Sequence, residues 1–163
     1  MSAQSGQPRV NIHAKPGMSA AMGYPMRYQL MDHTADGGLI VSGKTLSGVY
    51  RRAALALFDL MVDMEADPAG FESVDITVDG ADREDLLVNW LREVLFLWNG
   101  HEKLVTDIFI HRISRHRITA AVQCVDFDPE QHHIKKEIKA VTYHRTAVTR
   151  TTGGWRAEFI FDL

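Results

Sequence analysis

Apolar residues recur at helical spacing in two long segments of the chain. In the first, residues 46–62, they stand three and four positions apart, and Thr45 precedes them as an N-cap. In the second, Asp82 precedes a wide apolar stripe, and Asp85 three residues on forms a variant of the capping box. The stripe consists of Leu86, Leu87, Trp90, Leu91, Val94, Leu95 and Trp98. Asn99-Gly100 predicts the end of this second helix.

The rest of the folded part predicts strands, because apolar and polar residues alternate there as they do when one face of a strand is buried. The predicted strands are residues 27–32, 39–42, 74–78, 104–113, 117–125, 137–149 and 155–161. The first two flank a turn at Asp36-Gly37-Gly38, and the last four form two hairpins. Two helices packed on a largely antiparallel β-sheet make a single α+β domain.

Residues 1–25 show no periodicity and are rich in Gly, Ser, Ala and Pro, which predicts a flexible N-terminal tail that the core does not need. The chain has 163 residues, of which 45% are hydrophobic and 24% charged, as in an ordinary globular domain. No apolar run approaches the roughly 18 residues of a membrane span, and no signal pattern is present. We therefore expect a cytoplasmic protein.

The charge and the cysteine content limit the function classes. A net charge of −3 argues against broad electrostatic capture of RNA, although a local basic patch is compatible with an acidic total. The single cysteine, Cys124, excludes an internal disulfide and a thiolate cluster, and its alternating surroundings favour a packed thiol over a nucleophile.

Asp32, His33 and Asp36 place two carboxylates and an imidazole within five residues. Closely spaced oxygen ligands suit Mg²⁺ or Ca²⁺, and the glycines after Asp36 let the backbone fold around an ion. The alternative is local turn chemistry, since Asp in a Gly-rich turn often bonds its own backbone. His33 is more typical of a hydrogen-bond donor in that turn than of a ligand.

Other candidate residues are weaker. His132 and His133 are adjacent, so on a strand they point to opposite faces and cannot grip one zinc ion. Trp90 and Trp98 share a helix face, which favours core packing; an exposed Trp would instead anchor a protein partner. No Gly-rich phosphate loop or nucleophile elbow is present.

Several segments, in this order and spacing, resemble the archease family over residues 26–163. They are YQLMDHTAD at 28–36, AALALFDLMVD at 53–63, DLLVNWLREVLFLW at 85–98, FDP at 127–129, EIKAVTYH at 137–144 and the Gly153-Gly154-Trp155 hairpin before a penultimate Asp. Where the family usually has an aliphatic residue after the signature Asp, this chain has Gly37, which predicts a looser turn.

The resemblance implies a non-catalytic protein cofactor of an RtcB-type RNA ligase, which joins tRNA halves and activates itself by guanylylation of a histidine. It implies promotion of guanylylation and multiple turnover in tRNA splicing or RNA repair. The net charge of −3 adds the expectation that the protein binds the ligase with no direct nucleic-acid contact required, and no membrane is expected as a partner. It also implies a metal site of Asp36, Asp162 and Leu163, the last through its α-carboxylate where the chain ends there. Ca²⁺ or Mg²⁺ suits such oxygen ligands, with Mn²⁺ as an alternative.

Lys139, Asp32, His33 and His144 are the candidates for a partner or accessory site beside these ligands. Lys139 would be a cation beside the carboxylates, although a lysine on a strand is usually a solvated surface residue. Asp162 would otherwise be a solvated chain end. Two other functions stay open: a stand-alone metal-dependent phosphohydrolase with His33 or His144 as general base, and a chaperone-like interaction module without chemistry.

Overall fold

The computed structural model describes residues 10–11, 28–32, 36–64 and 70–163, which contain ten strands and two helices. The strands are β1 (Val10–Asn11), β2 (Gln29–Asp32), β3 (Asp36–Gly43), β4 (Val62–Met64), β5 (Glu72–Asp79), β6 (Lys103–Ile113), β7 (Arg117–Asp126), β8 (His132–Ile134), β9 (Ala140–Thr151) and β10 (Gly154–Asp162); the helices are α1 (Leu46–Met61) and α2 (Arg83–His101). Apart from β1, the predicted tail lies outside the described residues.

The strands form three sheets, and every pairing between them is antiparallel. The largest has the order β1-β2-β3-β10-β9, the second β5-β7-β6, and β4 pairs with β8. Both predicted hairpins are present, as β6–β7 and β9–β10. The predicted α+β class is therefore confirmed, with the sheet divided into three parts.

Both helices pack on both larger sheets and contact each other, so their apolar faces and those of the sheets form one core. Thr45 caps α1 by accepting a hydrogen bond from the Gly48 amide, 3.0 Å away. Asp82 caps α2 by accepting one from the Asp85 amide at 2.8 Å, and Asp85 in turn accepts from the Ala81 amide. These capping predictions are confirmed.

The predicted turn at Asp36-Gly37-Gly38 is wrong, because all three residues belong to β3. Gly37 pairs with Asp32 on one side and Phe161 on the other, and Gly38 pairs with Met31 and Ile160. A Cβ on Gly37 would overlap the ring of Phe161, which is only 1% exposed. The absence of a side chain at Gly37 thus leaves room for the Phe161 ring within the sheet. The predicted looser turn at Gly37 is therefore wrong as well.

The predicted end of α2 at Asn99-Gly100 is also wrong. The helix continues through Gly100 to His101, and the left-handed position at its end is Glu102, with φ 52°. The Glu102 amide donates to the carbonyls of Leu97 and Trp98. Gly100 instead lets the Phe96 ring lie close, since a Cβ there would be 2.7 Å from that ring.

The strands and helices of the domain begin and end at two opposite ends, called here the hairpin end and the carboxylate end. The hairpin end carries the β6–β7 and β9–β10 turns and the N-termini of both helices; the Tyr50 hydroxyl bonds the Arg83 carbonyl there, and the Gly80 amide bonds the His116 carbonyl. The carboxylate end carries the first residue of β3, the last of β10 and the C-termini of the helices.

Candidate functional site

Asp36 and Asp162 lie directly opposite each other on neighbouring strands. They are the last register pair between β3 and β10, and Asp162 is also the partner of Ala140 on β9. Directly opposed residues of antiparallel strands point to the same face, with Cβ atoms about 4.5–5.5 Å apart. The structure therefore brings together two predicted ligands that stand 126 positions apart in the sequence (162 minus 36).

The two carboxylates stand on the outer face of the five-stranded sheet. In the next row, Phe161 and Val141 are buried in the core, at 1% and 0% exposure. Because successive side chains of a strand alternate between faces, Asp36 and Asp162 point away from that core. Both are half-buried.

The electrostatics of this pair favour a bound cation. Like charges directly opposite each other destabilise a sheet, and within the described part of the chain none of the ion pairs involves either residue. Hard carboxylate oxygens suit Ca²⁺ or Mg²⁺. The residues present thus fit a divalent ion.

Few of the described side chains are available as ligands for a metal ion beside Asp36 and Asp162. Among the described residues, no three His, Cys, Asp or Glu side chains converge as metal ligands do. Leu163 directly follows Asp162 and is 43% exposed. Asp36 and Asp162 would supply two anionic ligands, the α-carboxylate of a terminal Leu163 a third, and water the remainder, as is common for Mg²⁺.

Lys139 lies beside the carboxylates. It immediately precedes β9, so the predicted strand begins three residues later than expected, and its amide donates to the Asp162 carbonyl at 2.9 Å. Its own carbonyl accepts from the Asn99 amide group at 3.4 Å. The side chain is exposed. The main chain of Lys139 is therefore held on both sides, next to Asp162.

The structure does not bring His144 to the same place. His144 lies four residues beyond Ala140 along β9, about 13 Å at the rise of a strand, and is exposed. It belongs to a bulge where residues 143–146 of β9 face a single position of β10 between Glu158 and Ile160. The backbone of Asp32 pairs with Gly37, near the carboxylate end, and His33 lies outside the described residues.

One feature next to the site escaped the sequence analysis. β9 is an edge strand of its sheet, and polar side chains of α2 bond main-chain carbonyls in it and just before it: Arg92 Nε donates to Val141 at 3.0 Å, and Asn99 donates to Lys139. Arg92 also stacks on the Tyr143 ring, 4.7 Å from its centroid. The Tyr143 hydroxyl bonds Asp85 and Asn89 of the same helix. Edge strands need such cover, and the helical spacing of Asp85, Asn89, Arg92 and Asn99 was the available signal.

The remaining candidates have structural roles. His132 is buried and His133 exposed, on opposite faces of β8 as expected, and His132 Nδ1 accepts from the Asp128 amide at 2.9 Å. Cys124 is fully buried, and burial raises the pKa of its thiol. Trp90 is also fully buried, and its indole NH donates to the Tyr50 carbonyl; Trp98 packs against Phe127.

In the part of the chain that the structure describes, neither helix is long and apolar enough to span a membrane. The model of the Archease protein family matches residues 28–163. Protein archease of Methanosarcina mazei is 33% identical over 141 residues, which are 84% of this chain and 96% of that protein. Protein archease of Pyrococcus furiosus is 35% identical over 142 residues, 84% of this chain and 99% of that protein.

A solved structure supports the same relationship. The solution structure of Methanobacterium thermoautotrophicum protein 1598 is similar to this chain with a TM-score of 0.67 and 30% sequence identity, covering 83% of this chain and 98% of that one. The matched region includes every element from β2 to β10. This chain belongs to the archease family.

Proposed function

We propose that this protein is a non-catalytic cofactor that activates an RtcB-type RNA ligase in the cytoplasm, by promoting its guanylylation and repeated turnover in tRNA splicing or RNA repair. In this proposal a divalent ion held by Asp36 and Asp162 supplies the positive charge that assists guanylylation. The observation that carries it is the direct register pairing of these two aspartates at one end of the domain. Membership of the archease family supports an accessory role.

The proposed site presents charge at an accessible end of the molecule. Asp36, Asp162 and a terminal Leu163 would hold the ion, and the exposed Lys139 side chain would add a second cation beside it. A bound divalent cation stabilises the charge that develops in phosphoryl transfer. Asp36 and Asp162 would position the bound cation against the ligase. The hydrogen bonds of the Lys139 main chain to Asp162 and Asn99 hold Lys139 next to the carboxylates.

Two other functions are less well supported by the geometry. A stand-alone phosphohydrolase needs a general base within hydrogen-bond reach of its metal-bound water. Of its two candidate bases, His144 is several residues away in a bulge, and His33 lies outside the described residues. A chaperone-like module would not depend on the charge of Asp36. Each alternative therefore makes a different prediction for the same variants.

The test is multiple-turnover ligation of an RNA 3′-phosphate end to a 5′-hydroxyl end, with limiting ligase, GTP and Mn²⁺. Wild type, Asp36→Asn and Asp162→Asn are compared with Asp75→Asn, which removes an exposed strand carboxylate from the other large sheet. We expect stimulation by wild type and by Asp75→Asn, and little stimulation by the two site variants. Phosphate-ester hydrolysis by the protein alone is measured in parallel.

The outcomes separate the alternatives. Equal stimulation by all four proteins would keep the partnership with the ligase and refute the carboxylate site. Hydrolysis without ligase that disappears in Asp36→Asn would establish the phosphohydrolase instead. No stimulation by any of the proteins would refute the proposed function itself.

A further inference from the structure

The most basic run of the chain lies at the hairpin end, away from the proposed ligase site. Residues 111–117, His-Arg-Ile-Ser-Arg-His-Arg, contain three arginines and two histidines and no acidic residue, in a protein whose net charge is −3. They form the end of β6, the turn and the start of β7. Except for the half-buried Ile113, these residues are exposed.

Two arginines of this run are available for an anion. Arg117 is engaged, since its guanidinium forms a bidentate pair with Asp79, at 2.5 and 3.0 Å. Within the described part of the chain, no carboxylate forms an ion pair with Arg112 or Arg115. Asp107, five residues before Arg112 on β6, is itself paired with Arg51.

A β-bulge places an exposed aromatic ring on the same face as Arg112. The register of β6 against β7 shifts between Ile110 and Arg112, so that Phe109 pairs with Ala121 and Arg112 pairs with Thr119. Ala121 and Thr119 are two residues apart on β7 and share the outer face of their sheet. Phe109 is 66% exposed, and its ring makes an edge contact with His111.

Beside Phe109 is a cavity of about 560 Å³ between β6 and the first turns of α1. Its polar lining residues are Thr45, Ser47, Gln123 and the ion pair of Arg51 with Asp107. A volume of this size is within the usual range for small ligands, and hydroxyl and amide groups bind base edges and sugar hydroxyls.

We propose that the hairpin end binds single-stranded RNA, with Arg112 and Arg115 on its phosphates, Phe109 stacked on an unpaired base and a neighbouring nucleoside in the cavity. A basic track with an exposed aromatic ring is how proteins hold unpaired strands. An acidic protein partner would need only the charge, and the exposed ring beside a nucleotide-sized cavity favours RNA. The net charge of −3, which disfavours broad capture of RNA, belongs to the whole chain and does not describe this end.

This surface is distinct from the carboxylate site and does not depend on the ligase role. Asp36 and Gly43 stand at the two ends of β3, about 23 Å apart at the rise of a strand. Thr45, two residues after Gly43, lines the cavity. One protein could therefore hold RNA at one end and a partner at the other.

The test measures the binding of a fluorescein-labelled 12-nucleotide single-stranded RNA to the full chain by fluorescence anisotropy over a range of salt concentrations. The variants are Arg112→Gln/Arg115→Gln and Phe109→Ala. The matched controls are Lys135→Gln/Lys136→Gln, which removes the same charge elsewhere, and Phe96→Ala, which removes a ring that is 54% exposed on α2. Lys135 pairs with Asp63 at 2.9 Å, and thermal unfolding checks that each variant folds.

We expect the arginine variant to lower the slope of log K against log salt by about 1.4, or 0.7 for each lost phosphate contact. Phe109→Ala should weaken binding at least about fivefold, the effect of losing one stacked base. The two controls should bind like wild type. Equal binding by all variants, or no RNA binding, would refute the proposal. Equal affinity for DNA of the same sequence would refute the choice of RNA, and binding of poly-glutamate in place of RNA would assign the surface to an acidic protein.

Discussion

The ring of Phe161 on β10 occupies the space that a side chain at Gly37 on β3 would need, and the two residues are register partners. The pair is next to the row of Asp36 and Asp162 in the register of the two strands. Gly37→Ala should therefore reduce the free energy of unfolding by about 1–3 kcal/mol, the usual cost of overpacking a core. Urea unfolding measures the change.

Gly153→Ala is the matched control for this substitution, because a Cβ there meets no heavy atom within 4 Å. We expect it to leave stability unchanged to within about 0.5 kcal/mol. A similar loss in both variants would show that the Phe161 ring does not set the requirement for glycine.

The opposed carboxylates of Asp36 and Asp162 predict a reversal of stability with metal. Without divalent ions, Asp36→Asn should be as stable as wild type or more stable by up to about 1 kcal/mol, because it removes a like-charge pair. With Ca²⁺ at 100 times its dissociation constant, wild type should gain about 2.7 kcal/mol, which the variant lacks. Thermal unfolding with EDTA and with Ca²⁺ measures both.

Asp75→Asn should keep the full Ca²⁺ effect, because Asp75 lies on β5 in the other sheet. Mg²⁺ and Mn²⁺ are titrated in the same way to identify the preferred ion. Stabilisation of Asp36→Asn equal to that of wild type would place any metal elsewhere.

Two buried tyrosines predict a loss of stability in alkali. Burial, reinforced by the carboxylate of Asp59, raises the pKa of Tyr28, whose hydroxyl donates to Asp59 at 2.8 Å. Burial likewise raises the pKa of Tyr50, with Glu84 adding to it. Both groups stay protonated in the folded state while the unfolded state ionises near pH 10. Their contribution is thus complete below pH 10 and declines above it.

The measurement is the free energy of unfolding from pH 8 to 11 for wild type and for Tyr28→Phe/Tyr50→Phe. The variant is expected to be less stable at pH 8, since it loses two hydrogen bonds. Between pH 9 and 11, wild type should lose about 2 kcal/mol more than the variant. Parallel profiles would mean that neither hydroxyl stays protonated because of the fold.

The end of α2 predicts a stabilising substitution. Glu102 adopts φ 52°, a left-handed conformation that costs a residue with a Cβ about 1–2 kcal/mol. Glu102→Gly removes this strain, while the added backbone entropy of the unfolded state offsets part of the gain. We therefore expect the free energy of unfolding to rise by about 0.5–1 kcal/mol. Thermal unfolding measures it, with Glu93→Gly in the exposed middle of the helix as the control that should lose about 1 kcal/mol.

Local features of the sequence were enough to place the helices and most strands. The caps at Thr45 and Asp82 and the apolar periodicity after them act within a few residues, and the structure has both helices where these signals predicted them. The alternation of Val74, Ile76 and Val78 likewise gave β5. The order of short segments along the chain also identified the archease family.

The same local reasoning failed where a residue's role depends on distant neighbours. Gly37 and Gly38 resemble a turn in sequence, but they stand in a strand because the Phe161 ring and Met31 fill the space above them. Gly100 resembles a helix end, but it makes room for the Phe96 ring. A glycine in a turn, at a helix end or beneath an aromatic ring looks the same in the sequence. Only the packing around it shows which of these roles it has.

The sequence by itself determined both helices and most of the strands, and it supplied the chemistry of Asp36 and Asp162. Only the tertiary structure decided that these residues face each other, since register is set by pairing across the sheet. It also decided that the bulge in β6 brings Arg112 to the face of Phe109, and that His144 stands in a bulge of β9 four residues along the strand from the partner of Asp162. One extra residue in a strand exchanges its faces, and that depends on the partner strand's hydrogen bonds rather than on the residues themselves.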